Sequence, residues 1–313
     1  MTVSLVLLAV AAGALALGPR LAAATWTRQA PWLAIVTWQA LTVSLVATVV
    51  LAGVTLLVPI TALADGLGTV VQACAVSIAS AYGSSESLLV TLLGITLAGV
   101  LPAWVAVCAL RVLVRSRRAR RDLHRSLALV AEPASSGGLL VLDSASPAAF
   151  CVPGKAGRIV ITQGALEGLS PSELTGVLAH EEAHLRGRHN LAVVLSEVLV
   201  RAFPGVPLFR SAAAETRHLL ELLADDAATQ RVDRVSLASA IVSLAEMRSP
   251  AATLAMAQDG AALRVSRLLA PADPLAPWHY RLRALGAAGF VVVPLVVAGS
   301  PAWAAALGDL CSV

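Results

Sequence analysis

The chain is poor in charge. Only 13% of its 313 residues are Asp, Glu, Lys or Arg, about half the share that is usual in a soluble domain. Hydrophobic residues make up 58%, and the mean hydropathy is +0.80. This composition excludes a single water-soluble globule and predicts a multi-span membrane protein with a soluble insert. The net charge of +4 does not indicate a nucleic-acid partner, because the arginines cluster beside apolar segments.

Charged residues are almost absent from the first 110 positions, as expected of membrane spans. The four exceptions are Arg20, Arg28, Asp65 and Glu86. Apolar runs predict spans at Val3 to Leu17, Leu33 to Pro59 and Leu88 to Leu110, with Pro102 as the expected kink in the third. A cleaved signal peptide is the alternative for the first run, but no positively charged segment precedes it.

Seven arginines follow the third span at once. They are Arg111, Arg115, Arg117, Arg118, Arg120, Arg121 and Arg125. Such an excess marks the cytoplasmic side, so the N-terminus is predicted outside the cell. The same arginines would suit anionic lipid headgroups, and the two interpretations are compatible. The predicted organisation in the cell membrane is a three-span region (1–110), a basic juxtamembrane segment (111–125), a cytosolic domain (126–280) and a fourth transmembrane helix (284–308).

Histidine is also scarce, with six in the chain, yet two of them stand four residues apart in the stretch L-A-H-E-E-A-H. On a helix, His180 and His184 lie one turn apart on the same face, so their rings can converge on one metal ion. Glu181 between them can take a proton from a metal-bound water. The pattern is H-E-x-x-H, the helix motif of zinc hydrolases.

The residues before this motif predict that it lies on a buried helix. Ser170 is the expected N-cap, Pro171 fits the first turn, and Glu173 would close a capping box. Apolar residues with helical spacing follow. A buried helix would hold the two imidazoles in a fixed geometry, whereas the alternative is an exposed helix that carries the motif by chance.

A hydrolytic zinc site needs a third protein ligand and an open position for water. Glu221 and Asp225 lie one helical turn apart in H-L-L-E-L-L-A-D-D-A. Glu221 could complete the site, and Asp225 could accept a hydrogen bond from a ligand imidazole. The alternative is an acidic helix face in water, but the leucines around Glu221 favour burial. His189 and His218 are interpreted as structural, because the metal already has three candidate ligands.

Other elements are predicted around the motif. Gly138 to Leu142 and Arg158 to Thr162 are expected to be strands, because Gly and Ser bound their aliphatic runs. Residues 191–209 are expected to form a helix and a turn, lying against the membrane or under the active site. Further helices are predicted at Val235 to Met247 and Ala261 to Leu269.

The stretch L-A-H-E-E-A-H-L-R-G-R-H-N-L, followed by E-L-L-A-D-D-A-A, resembles the membrane-embedded gluzincin peptidases. Two branches are similar: the BlaR/MecR-type antirepressor peptidases, and the HtpX-type and CAAX-protease group. The resemblance implies a mainly α fold, with four transmembrane helices and a cytosolic α+β metallopeptidase domain between the third and the fourth. It implies one zinc ion held by His180, His184 and Glu221, with Glu181 as general base and Asp225 as the partner of a ligand.

The resemblance extends upstream and downstream of the motif. Residues 146–150 and 157–162 resemble the strands that precede the zinc helix in these families. Substrate is then expected beside Ala149, Phe150 and Cys151. Arg264 lies in R-V-S-R-L, which resembles a basic stretch near the substrate, although a solvated arginine is equally compatible with the sequence.

The function implied is that of an integral-membrane zinc metalloendopeptidase, acting on a protein or peptide at a cytosol-facing site. The BlaR/MecR resemblance implies regulatory cleavage of a cytosolic transcriptional repressor. Membrane-protein quality control of the HtpX type is the alternative, and an inactive membrane scaffold is disfavoured by the complete motifs. Only five residues follow the fourth predicted span, so a C-terminal penicillin-sensor domain and direct β-lactam sensing are not expected.

Cysteine is rare as well, with four in the chain. Cys74 and Cys311 are the two that the predicted topology places outside the cell, so we hypothesise a disulfide between them. Cys108 is expected near the inner end of a span. Cys151 is expected to be reduced and to act as a small buried apolar residue.

Overall fold

The computed structural model describes residues 2–57, 85–133, 138–154, 157–247, 254–270 and 273–310. The chain is mainly helical with one small sheet. The helices are α1 (Thr2–Ala22), α2 (Trp26–Gln29), α3 (Pro31–Leu57), α4 (Ser85–Ile95), α5 (Leu101–Val130), α6 (Gln163–Gly168), α7 (Pro171–Arg186), α8 (His189–Ala202), α9 (Pro207–Ala228), α10 (Arg234–Met247), α11 (Leu254–Leu269) and α12 (Pro277–Leu310). The strands are β1 (Ala131–Pro133), β2 (Leu139–Leu142), β3 (Ala149–Val152) and β4 (Arg158–Thr162).

Within the described residues, four helical stretches are long and apolar enough to cross a membrane. They are Thr2–Ala22, Pro31–Leu57, Leu88–Val130 and Pro277–Ser300. Each overlaps one of the predicted spans. Helix α3 is at the centre of the bundle, because it packs against α1, α12 and α9. Its interior side chains include Trp38 and Leu41, both fully buried. The hypothesised bridge between Cys74 and Cys311 lies outside the described residues.

The third stretch is helical throughout, but its hydrogen-bonding pattern changes before Pro102. A π-helical turn at Thr96–Val100 joins α4 to α5. A proline has no N–H to donate to the previous turn, which is one common reason for a local change of helix geometry. Helix α5 then continues without a break to Val130, so the predicted boundaries at residues 110 and 125 both fall inside it. Cys108 is buried in this helix.

The sheet has the strand order β1-β2-β4-β3. Strands β2 and β4 are parallel, whereas β1 and β3 pair antiparallel at the two outer positions. The predicted strands at β2 and β4 are confirmed, with Gly138 at a positive φ of 104° just before β2. Composition did not indicate β1, whose three residues are Ala, Glu and Pro. Strand β3 is an edge strand and contacts α7.

Helices α8 and α9 form a hairpin beside the membrane helices. The predicted helix and turn over 191–209 are present, because α8 ends at Ala202 and α9 begins at Pro207. The indole Nε1 of Trp104 donates a hydrogen bond to the carbonyl of Ala202 at 3.0 Å. Trp104 belongs to the third apolar stretch, so the hairpin turn lies against a candidate span. Helix α9 then runs along α3 and brings Glu221 beside α7.

The start of α7 is fixed by the predicted capping box. The Ser170 hydroxyl accepts from the Glu173 N–H, and the Glu173 carboxylate accepts from the Ser170 N–H at 2.8 Å. The same carboxylate accepts hydrogen bonds from Ser239 and Ser243 on α10, at 2.5 and 3.0 Å. Glu173 therefore both caps the helix of the H-E-x-x-H motif and ties it to α10. Hydrogen bonds from Ser239 and Ser170 lower the pKa of Glu173 to about 2.

We expect Glu173→Gln to lower the thermal midpoint of the metal-free protein by about 2–4 °C at pH 7, since the charged acceptor is lost. The folded pKa lies below the ordinary 4.5, so the carboxylate stabilises the fold above pH 4.5 and loses that effect as the pH falls towards 2. The difference between the two proteins should therefore narrow over this range. A difference independent of pH, measured by scanning calorimetry in detergent, would contradict this role of the charge.

Candidate metal site

Helices α7 and α9 bring three potential metal ligands together. The ligand atoms of His180, His184 and Glu221 all lie within 4.8 Å of one another. The Nε2 atoms of the two histidines are 3.1 Å apart, and each lies 3.4 Å from an oxygen of Glu221. Ligand atoms bound tetrahedrally to zinc at about 2.0–2.1 Å are separated by about 3.3 Å. The donor set and its spacing therefore fit one zinc ion.

Asp225 orients the imidazole of His180, the first candidate ligand. The Nδ1 of His180 lies 2.9 Å from Oδ1 of Asp225, and this carboxylate is completely buried. When Nδ1 carries the proton and donates a hydrogen bond to Asp225, the lone pair of Nε2 is directed at the site. The predicted pairing of Asp225 with a ligand imidazole is therefore present as geometry, on the helix that also carries Glu221.

The imidazole of His184, the second candidate ligand, contacts another histidine. The Nδ1 of His184 lies 2.8 Å from the Nδ1 of His189, the first residue of α8. The sequence interpretation treated His189 as structural and did not place it next to a ligand. The spacing of five residues does not predict such a contact, because a continuous helix would put the two side chains on different faces. The helix ends between them, at Gly187 and Arg188.

Arg264 of α11 closes the site from the other side. Its guanidinium donates to both oxygens of Asp225, from Nε at 2.8 Å and from Nη2 at 2.6 Å. Its Nη1 also donates to Glu221 at 3.1 Å. The sequence offered either a substrate-binding or a solvated arginine. The structure instead places its donors on the carboxylates of Asp225 and Glu221, and the side chain of Arg264 is only 17% exposed.

The ionisation of the metal-free site follows from these contacts. Burial lowers the pKa of His180, but the hydrogen bonds to Asp225 and Glu221 outweigh this effect and raise the pKa to about 9. Burial and the neighbouring His180 lower the pKa of His184 to about 4. Although burial opposes it, the hydrogen bond and attraction of His180 lower the pKa of Glu221 to about 2. At neutral pH, a metal ion therefore has to displace one proton from His180, whereas His184 is already neutral and Glu221 already ionised.

Glu181, the candidate base, lies on the side of the site that faces β3. Burial raises its pKa, and the neighbouring His180 and Cys151 offset this effect only in part. Burial and Glu181 together raise the pKa of Cys151 to about 12, so the sulfur keeps its proton. Cys151 was expected to be a small buried apolar residue; it is a free cysteine of intermediate burial that also neighbours the candidate base.

The three residues predicted to meet substrate lie on β3, with Ala149 and Cys151 on one face of the strand and Phe150 on the other. Ala149 packs with Ile161 in one core cluster. Phe150 packs against another cluster that contains Val160. Cys151 is the member of the three whose side chain contacts Glu181. The strand itself lies at the sheet edge beside α7, and within the described ranges no further strand pairs with it.

His218 is also on α9, three residues before Glu221, and is half-buried. Within the part of the chain that the structure describes, it does not belong to the group of ligand atoms. Its interpretation as a structural residue stays a prediction.

Comparison with known proteins agrees with this geometry. No solved structure matches the chain. Residues 114–238 match the family model described as Peptidase family M48, whose members are typically zinc-dependent. The matched region contains the sheet, the H-E-x-x-H helix and Glu221, whereas Arg264 lies beyond it. Over these residues the chain is similar to the Peptidase M48 family.

Proposed function

We propose that this protein is an integral-membrane zinc metalloendopeptidase. One observation carries the proposal: two imidazole nitrogens and a carboxylate converge at zinc-binding distances, next to a partly buried Glu181 and an edge strand. A structural zinc site would use four protein ligands, whereas the three found among the described residues leave a position open for a reacting molecule. The M48 match and the four apolar helices support the same conclusion.

The residues divide the chemistry between them. His180, His184 and Glu221 would hold the ion, which supplies Lewis-acid polarisation of a carbonyl and lowers the pKa of a bound water. Glu181 is placed to accept the proton of the attacking water and to pass it to the leaving amine nitrogen. In the metal-free site, burial raises the pKa of its carboxyl. Asp225 and Arg264 hold the ligand groups in place.

The substrate is proposed to bind as an extended strand along β3. An edge strand offers free backbone N–H and C=O groups, which can pair with a peptide. This edge lies beside the helix that carries Glu181, because β3 contacts α7. The backbone at Ala149, Phe150 and Cys151 would then position the substrate, and the side chains of Ala149 and Phe150 would stabilise the strand from within the core.

We propose that the site faces the cytosol. The support is the seven arginines between Arg111 and Arg125, which follow the apolar residues of the third stretch within α5. A reporter that is active only in the cytosol should be active when fused after Arg125 and inactive when fused after Leu57. Activity after Leu57 and none after Arg125 would mean that the proposed membrane orientation is inverted.

The physiological substrate is proposed to be a cytosolic repressor-type protein, on the strength of the resemblance to BlaR/MecR-type peptidases. Quality control of membrane proteins, as the HtpX-type resemblance implies, is the alternative. Cells that produce Glu181→Gln instead of the native protein should accumulate an uncleaved DNA-binding protein. Accumulation of misfolded membrane proteins alone would favour the alternative.

Metal removal tests the enzymatic proposal. The protein, purified in detergent, should cleave an unfolded protein substrate, lose this activity on treatment with a chelator, and regain it on addition of one equivalent of zinc. The thermal midpoint should fall on chelation and recover with zinc, because the ion binds the folded state. Cleavage that persists after complete metal removal would refute the proposal.

A further inference from the structure

We propose that His189 is a positioning residue that fixes the tautomer and orientation of His184 for metal binding. The inference rests on the proposed function, since it takes His180, His184 and Glu221 as the zinc ligands. It assigns a role to a histidine that stands outside the H-E-x-x-H motif.

The hydrogen bond between the two rings has only one arrangement compatible with a metal. Two neutral imidazoles 2.8 Å apart at Nδ1 share one proton between them. If His189 carried that proton, His184 would have its own proton on Nε2, the atom that faces His180 and Glu221. Metal binding needs that nitrogen bare. His184 must therefore carry the proton on Nδ1 and donate it, and His189 must accept.

The fold makes room for this contact. His189 is only 7% exposed, so its ring has few other positions available. Arg188 has a left-handed backbone with φ of 48°, which ends one helix and turns the chain so that α8 begins with His189. A Cβ on Gly187 would overlap the His189 ring. The turn G-R-H therefore places an imidazole against His184 that a continuous helix would direct elsewhere.

The two ligand imidazoles thus have different acceptors. His180 donates to the carboxylate of Asp225, whose charge Arg264 balances. His184 faces a second imidazole, which accepts the hydrogen bond without adding a negative charge. Orientation of the second ligand is therefore achieved at no cost in buried charge. A side chain with an acceptor atom at the same position should therefore preserve zinc affinity in place of His189, whereas an apolar ring of similar size should not.

Zinc affinity of variants tests the role. His189→Phe fills the space but has no acceptor, and it should bind zinc about 10–100-fold more weakly than the native protein. His189→Asn places Oδ1 where Nδ1 stands, and it should recover most of the affinity. His218→Phe makes the same change at a half-buried histidine of α9 and should bind zinc like the native protein. The measurement is a competition titration against a chromophoric chelator, with the visible spectrum of the cobalt-substituted protein as a report on ligand geometry.

A second variant tests the same role even if His189→Phe does not fold. Gly187→Ala keeps every polar group but displaces the His189 ring, so it should weaken zinc binding in the native background. In the His189→Phe background it should have little further effect on affinity, because the hydrogen bond is already lost.

The outcomes separate the two proposals. If the native protein does not bind zinc, the proposed function fails. If it binds zinc and His189→Phe or Gly187→Ala binds equally well, the positioning role is overturned while the function stands. If His189→Asn is as weak as His189→Phe, the ring serves only to fill space, and the positioning role is overturned as well.

Discussion

Replacement of Glu181 by Gln is expected to leave zinc bound and to reduce peptide hydrolysis by about 10²–10⁴-fold. All three candidate ligands remain in this variant, and Gln has nearly the same size as Glu. The amide cannot accept the proton of the attacking water, which is the step assigned to the carboxylate. The partly buried position also prevents a bulk-water buffer from replacing it easily. Zinc content by atomic emission and a cleavage assay on the two purified proteins make the comparison.

Glu182 provides the matched control. It is the next residue of the same helix, but it pairs with Arg186 and Arg231 instead of facing the ligands. Glu182→Gln should therefore keep both zinc and activity. Equal cleavage rates for Glu181→Gln and the native protein would rule out Glu181 as the base, whereas loss of zinc in that variant would mean that its carboxylate contributes to the metal site.

Glu221→Ala is expected to lower zinc affinity more than Asp225→Ala does. Glu221 has oxygens 3.4 Å from both ligand nitrogens, whereas Asp225 reaches the site only through His180. Loss of an orienting partner typically costs about 10–100-fold in metal affinity. Loss of a charged ligand removes both a donor atom and a charge, so the effect should exceed that range. Chelator competition on the purified variants gives the order.

Two further variants serve as controls for this comparison. Asp225→Ala leaves the buried Arg264 without its bidentate partner, which could destabilise the fold for another reason. Asp225→Asn retains an acceptor oxygen and separates the two effects. Asp226→Ala changes the adjacent residue of α9, which pairs with Arg267, and should leave zinc affinity unchanged. A larger loss in Asp225→Asn than in Glu221→Ala would mean that the ligand has been assigned to the wrong carboxylate.

Local features were the most accessible to sequence reasoning. The capping box at Ser170 and Glu173, the apolar stretches and the central strands β2 and β4 all depend on residues close together in the chain. The proximity of Glu221 to His180 could also be inferred, because the chemistry of zinc requires a third ligand and few acidic residues lie among leucines. In that case a motif, rather than a propensity, supplied a long-range contact.

Other features had no local signal. Glu173 appears in the sequence only as a helix cap, yet it also joins α7 to Ser239 and Ser243. Cys151 could be classed only by its polarity, because its contact with Glu181 depends on the approach of β3 to α7. Arg264 could equally well have met substrate or solvent, since nothing in R-V-S-R-L indicates a partner on α9.

Three features were predictable from the residues alone: the apolar stretches, the helix that presents two imidazoles on one face, and Glu221 as the third candidate ligand. These follow from hydropathy, from the period of the α-helix and from the coordination chemistry of zinc. The groups that form hydrogen bonds with the candidate ligands could be identified only from the packing of separate elements. His189 meets His184 because the chain turns at Gly187 and Arg188, and Arg264 meets Asp225 because α11 packs near α9. Such contacts depend on how separate elements pack, and no period or motif in the chain records that packing.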